Sequence, residues 1–222
     1  MSGKRIERAE RTRAALVAAG RRLFCERPVD AVAIDDIVQA ADVSKGSFYN
    51  HFPDRDALVR EITAEIRAEV ERAVTRANAE VDDPAQRMAR AVCVYLRYAV
   101  DDTERAGVLV RIHSGHTSTA TPLNKGLVDD VADGLAQGRF AVATTESAVL
   151  FVLGVAQLAL IRVTQEPTVT FAVSLAQQMG TLLLRGLGVP GHEPEAIAAQ
   201  AADEIVRQAA FRETPPPKGV AH

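Results

Sequence analysis

IDDIVQAADVSKGSFYNHF, residues 34–52, reads as two short helices joined by a tight turn. Ile34, Ile37, Val38 and Ala41 recur at helical spacing. Asp42 interrupts the pattern and Val43 packs back. Ser44 is a good N-cap for a second helix of roughly two turns. Phe48 and Phe52, four apart, should face inward. Lys45, Ser47, Tyr49, Asn50 and His51 then fall on the remaining faces. This is the layout of a helix-turn-helix, whose second helix enters the major groove of DNA. A helix this short cannot fold alone, so Leu23, Phe24, Ile37, Phe48, Phe52 and Leu58 are expected to frame it.

Charge follows the same division. Residues 1–60 hold 11 Lys/Arg against 9 Asp/Glu, and the first 22 residues hold 7 against 2. The whole chain of 222 residues is net −3, so the basic end is the one that carries the helix-turn-helix, as phosphate binding requires. Apolar residues make up 47% of the chain, enough for a sizeable core.

The stretch resembles the DNA-binding domain of the tetracycline-repressor (TetR) family. Upstream, Arg13, Leu16, Ala19, Leu23 and Phe24 match the family's first helix. Downstream, His51-Phe52-Pro53-Asp54-Arg55-Asp56-Ala57-Leu58 matches its entry into the fourth. Two positions depart from the family pattern. Ala33 stands where a capping, phosphate-contacting Thr is usual, with Asp35 and Asp36 left to favour the helix N-terminus. Asp42 stands where the turn usually has Gly, and Asp tolerates a left-handed backbone better than most residues. The resemblance implies that Lys45, Ser47, Asn50 and His51 face the groove and that Tyr49 and Arg55 contact phosphate. Ser44 caps the reading helix, and Gly46 lets its backbone approach the DNA. The chemistry suits the roles: Lys donates to guanine O6 or N7, and Asn pairs with adenine N6 and N7.

Beyond residue 53 the periodicity stays helical, and the expected fold class is all-α. Helix one is expected over Glu7–Glu26, stopped by Pro28. Helix four runs from about Asp54 to Glu80 on a stripe of Leu58, Ile62, Ile66 and Val70. Helix five starts at the Asp83-Pro84 cap, and helix six covers Thr103–His113. Residues 114–122 are a loop by composition. Helix seven covers Leu123–Gln137, helix eight Thr144–Thr164, helix nine Thr168–Leu187 and helix ten Pro194–Arg212. The expected organisation is a DNA-binding domain over residues 1–53, an effector-binding and dimerisation domain over 54–213, and a disordered tail over 214–222.

Helices eight and nine carry more apolar residues than one face can bury. In helix eight Val152, Val155, Ala159 and Val163 form one stripe, while Leu150, Phe151, Leu153, Leu158 and Ile161 lie off it. Helix nine offers Phe171, Leu175, Gln178, Met179, Leu182 and Leu183. Such helices are buried on two sides, and the resemblance implies a homodimer through them. A single reading module buries only roughly 600–1,000 Å², too little for tight selective binding, whereas a dimer reads two half-sites of a palindrome. The resemblance also implies an effector pocket between helices four and eight. Candidate linings are Ile62, Ile66, Met88, Tyr95, Leu109, Ile112, His113, His116, Leu127, Phe151, Val155 and Gln157. Polar groups are few in that set, so a small apolar or aromatic effector is expected.

Other classes find little support. There is no G-x-S-x-G, Walker, H-E-x-x-H or Gly-rich dinucleotide motif, so neither an enzyme nor a cofactor is expected. His113-x-x-His116 lacks a third ligand at metal-motif spacing, and no metal is expected. Cys25 and Cys93 read as reduced core thiols. The charged N-terminus lacks a signal-peptide core. The longest apolar run, Ala148–Ile161, is broken by Gln157 and falls short of the ~18 residues of a membrane span. The expectation is a cytoplasmic, ligand-responsive repressor of a double-stranded operator. An activator, or a regulator acting mainly through a protein partner, shares the same sequence features.

Overall fold

The computed structural model describes residues 2–111, 119 and 122–208. Among these residues the chain forms ten α-helices and no strand. Helix α1 spans Ser2–Glu26, five residues more than expected at its start, and buries Leu16, Val17, Ala19, Leu23 and Phe24. Pro28 ends it, and a single 3-10 turn, Val29–Ala31, leads on. Helices α2 (Ile34–Ala40) and α3 (Lys45–Tyr49) form the helix-turn-helix. At five residues α3 is shorter than the expected two turns, because Asn50 already acts as its C-cap.

The turn between them is a Schellman closure: Val43 N–H donates to Val38 O at 3.0 Å and Asp42 N–H to Gln39 O at 3.2 Å. It forces Asp42 to φ +54°, the left-handed region where glycine is usual. At the start of α2, Ala33 offers no side-chain acceptor. The reciprocal half of a cap survives, since Asp36 Oδ2 accepts Ala33 N–H at 3.1 Å.

Helix α4, Arg55–Ala77, is one continuous rod started by Asp54, whose Oδ1 accepts Ala57 N–H at 2.7 Å. Leu58, Ile62, Ile66 and Val70 are buried, as the stripe predicts. Gly20 lets α1 come close: a Cβ there would lie 3.0 Å from the side chains of Leu58 and Ile62. Arg13 pairs with Glu61, and Arg21 with Glu65 at 2.9 Å, so two ion pairs flank the same contact.

Helix α5, Pro84–Asp101, is the hub of the larger part. It packs against α4, α6 (Thr103–Arg111), α7 (Lys125–Ala136), α8 (Thr145–Gln165), α9 (Val169–Gly186) and α10 (Glu193–Ala201). Thr144 and Thr168 cap α8 and α9 through their hydroxyls. Helix α7 begins at Lys125 rather than Leu123, because Pro122–Asn124 forms a 3-10 turn. After Ala201 the last helix widens into a π turn through Arg207. The expected loop at 114–122, apart from Thr119 and Pro122, and the tail at 214–222 lie outside the described residues. Cys93 is buried, which pushes its thiol up to about 12, while the Cys25 thiol donates to Glu104 O at 3.0 Å.

The left-handed Asp42 yields a direct test. Asp42→Gly should raise stability by up to about 1 kcal/mol and Asp42→Val should lower it by about 1–2 kcal/mol. Urea midpoints at constant m-value and fixed protein concentration measure both.

Candidate DNA-reading surface and ligand cavity

The reading helix stands on an aromatic base. Phe48 and Phe52 are buried with ring centroids 5.7 Å apart, and the Arg13 guanidinium lies 5.4 Å over the Phe52 ring. Tyr49 packs edge-on against Phe48 at 5.5 Å and is 52% exposed, which leaves its hydroxyl end outside. Ser44 Oγ accepts Ser47 N–H at 3.1 Å, and the two hydroxyls lie 2.9 Å apart, so Ser47 is partly committed to the cap. Lys45, Gly46 and Asn50 are exposed, and His51 is half-buried. The Lys45 ammonium sits 2.8 Å from Asp35, whose hydrogen bond and charge hold its pKa above the usual lysine value.

Arg55 is turned toward the protein. Its guanidinium donates to the carbonyls of Val29, Asp30 and Val32 at 3.2–3.4 Å and pairs with Asp30 and Asp56. It ties the start of α4 to the segment between α1 and α2.

Between α4, α5, α6, α7 and α8 lies a cavity of about 380 Å³. Met88, Tyr95, Leu109, Leu127 and Gln157 line it, as the sequence suggests. Ile62 and Ile66 are not in the lining: they sit in the core, one position round α4 from the residues that line it. Phe151 and Val155 are also absent from it, and Phe151 is 39% exposed on the outer side of α8. Ile112, His113 and His116 lie outside the described residues.

The expectation of few polar groups is corrected by a wall from α4 and the start of α7. Thr63, Arg67, Glu71 and Asn124 line it, opposite apolar side chains that include Val92, Val152 and Leu160. Thr63, Arg67 and Glu71 follow a helical spacing of four from Val59, one position round from the Ile62–Ile66 stripe. That offset is the sequence signal for them. Tyr95 O–H donates to Glu71 Oε1 at 2.7 Å, and Arg67 donates to Asn124 Oδ1 at 3.0 Å. Burial raises the Glu71 pKa above the usual glutamate value against the opposing pull of Tyr95 and Arg67, with Asp130 adding to the rise. Burial, followed by the Glu71 charge, pushes the Tyr95 phenol up as well.

The outer faces of α8 and α9 expose Leu150, Phe151, Leu158 and Leu182, with Leu158 64% exposed. Leu183, also a candidate for an outer face, turns into the core instead. Helix α8 is 21 residues long with a mean hydropathy of 1.9 over its best window. That exceeds what the interrupted run at 148–161 suggests, because the apolar pattern resumes at Val163 beyond the single charge of Arg162. By length and composition alone it is long and apolar enough to cross a membrane, a test that core helices of helical bundles also pass.

A helix-turn-helix joined by one rod to a hollow helical body is the architecture of a DNA-binding regulator. The family model described as bacterial regulatory proteins, tetR family, matches residues 16–62, and the tetracyclin repressor-like C-terminal domain matches residues 83–200. The chain belongs to the TetR family of helix-turn-helix transcriptional regulators. It is 30% identical over 95 residues to the HTH-type transcriptional repressor DhaR of Mycobacterium sp. (strain GP1), a match covering 43% of this chain. The chain spans a little under half of DhaR's length, 46%, in that match. It is 27% identical over 139 residues to an uncharacterized HTH-type transcriptional regulator of Haemophilus influenzae, covering 60% of this chain and 67% of that protein. Among solved structures it resembles RolR in complex with resorcinol, with a TM-score of 0.63 and 27% identity over 88% of this chain and 96% of that one.

The buried Glu71 has a measurable consequence. In the unfolded chain it titrates near the usual glutamate value of about 4.3. The folded carboxyl keeps its proton to higher pH, so this group costs stability as pH rises from the unfolded value through the folded one, and the full cost persists above. Glu71→Gln should therefore melt at a higher temperature than wild type at neutral pH. The difference should vanish below about pH 4, which thermal melts across a pH series would show.

Proposed function

We propose that this protein is a ligand-responsive repressor that binds a palindromic operator as a homodimer and leaves it when a small molecule fills the cavity. The observation that carries this is the double use of α4. The helix begins at Arg55, three residues after the buried Phe52, and its Thr63, Arg67 and Glu71 face the cavity. A ligand that favours one position of α4 biases the placement of the reading helix through Gly20, Arg13 and Arg21. The similarity to RolR, whose structure holds resorcinol, supports an effector with an aromatic or largely apolar body.

In this reading residues 1–53 form the DNA-binding part and 54–213 the effector and dimer part. Lys45, Ser47, Asn50 and His51 face the major groove, and Tyr49 gives its hydroxyl to a phosphate. Arg55 serves mainly to hold the loop before α2, given its three carbonyl partners. The exposed apolar faces of α8 and α9 pair with those of a second copy. A role on chromosomal DNA accords with a cytoplasmic location.

Fluorescence anisotropy with DNA flanking the protein's own gene, against a scrambled duplex at two salt concentrations, tests the DNA reading. Specific binding with a steep salt dependence is expected. Lys45→Ala should weaken operator binding by about tenfold to a hundredfold, in line with one lost base contact. Tyr49→Phe should weaken both duplexes alike. Unchanged binding in both variants would refute these residue roles.

The dimer is tested separately. Leu158→Asp places a charge on the exposed apolar face without touching the core, and should shift the protein to monomers in sedimentation velocity. A variant that stays dimeric would move the interface elsewhere.

A further inference from the structure

The two charges that face the cavity from α4 do not pair with each other. Arg67 and Glu71 are one helical turn apart, a spacing at which opposite charges usually meet. Here neither forms an ion pair among the described residues. Arg67 is drawn to Asn124 Oδ1 at 3.0 Å, and Glu71 Oε1 takes the Tyr95 hydroxyl at 2.7 Å. Glu71 Oε2 has no hydrogen-bond partner among the described residues and faces the Gly126 side of the chamber, where a Cβ would lie 3.8 Å away. The other charged groups in the lining, Arg87, Asp129 and Asp130, are already paired, Asp129 with Lys125. Arg87 pairs with Asp130 at 2.6 Å and Asp133 at 2.7 Å and donates to the carbonyls of Val81 and Asp82.

We infer that the effector is an uncharged hydroxyarene whose hydroxyl donates to Glu71 Oε2 and accepts from Arg67, with its ring on the Met88, Val92 and Leu160 wall. This rests on the cavity being the effector site. The open guanidinium and the open carboxylate oxygen sum to zero charge. An anionic ligand would satisfy Arg67 but press a second negative charge on Glu71. A cationic ligand has the opposite fault. A hydroxyl both donates and accepts, so one group serves both partners. A phenolic hydroxyl is a much stronger acid than an aliphatic one, with a pKa near 10 in tyrosine, so it is the better donor to a carboxylate. The apolar wall then takes a ring, and a chamber of about 380 Å³ holds one or two of them.

Isothermal titration calorimetry of the full-length protein with phenol, benzoate and toluene separates the cases. Phenol is expected to bind more tightly than either of the others, because only it carries a neutral donor. Glu71→Gln should cost phenol about tenfold to a hundredfold, the loss of one charge-assisted bond, and cost toluene far less. Benzoate binding as tightly as phenol, or phenol indifferent to Glu71→Gln, overturns the hydroxyl assignment. Toluene binding in that event leaves the cavity as an effector site. If none of the three binds, both the hydroxyl assignment and the effector site fail.

Discussion

A reading helix of five residues cannot hold its own shape. Helix nucleation is unfavourable, and short helices persist only when packing holds them. Everything around α3 answers that constraint. Ser44 supplies the cap, Phe48 and Phe52 supply the buried base, and Arg13 covers Phe52 while pairing with Glu61. Through Glu61, Glu65 and the Leu58–Ile62 contact at Gly20, that support is borne by α4. The exposed groups of α3 are thus placed by a helix whose far side lines the cavity. Local rigidity at the DNA end and sensitivity at the cavity end are properties of the same rod.

The cavity shows what that arrangement costs. A protein built only for stability would pair Arg67 with Glu71 or replace both with apolar side chains, since buried charges are costly to desolvate. Instead Arg67 donates to Asn124, and the Tyr95 hydroxyl stands between the two heads, donating to Glu71 and interacting with Arg67. Burial raises the Glu71 pKa, a sign that its ionised form is under strain at neutral pH. Under the proposed effector role, a site that is destabilised when empty gains most from a ligand that satisfies it, and that gain would be the free energy available to shift α4.

Much of the fold was legible because helix starts carry strong local chemistry. Ser44, Asp54, Asp83, Thr144 and Thr168 each cap the helix expected after them, and Pro28 ends α1. Ends without such signals were misplaced. Helix α1 starts five residues early, where no capping residue marks the change, and the 3-10 turn at Pro122–Asn124 took the first two residues assigned to α7, Leu123 and Asn124. The cavity wall was harder. Periodicity finds Ile62 and Ile66 because they are apolar, and they do face inward, but into solid core. Thr63, Arg67 and Glu71 are rotated by one residue and look like a solvated face. Only the position of α5 and α7 reveals that the solvent there is enclosed.

Helix α8 joins these levels. Its inner side closes the cavity with Val152, Leu153, Ala156 and Leu160, and its outer side leaves Leu150, Phe151 and Leu158 in water. Exposing several large apolar residues on one helix is unfavourable, and at a mean hydropathy of 1.9 no polar outer stripe relieves it. Under the proposed dimer a second copy covers that face, and a two-fold axis near α8 and α9 fixes the spacing of two reading helices. A ligand pressing on the inner side of α8 would then act on the element that sets the half-site distance as well as on α4. Operator geometry is periodic in roughly 34–36 Å steps, so a small change in that distance weakens both half-sites together.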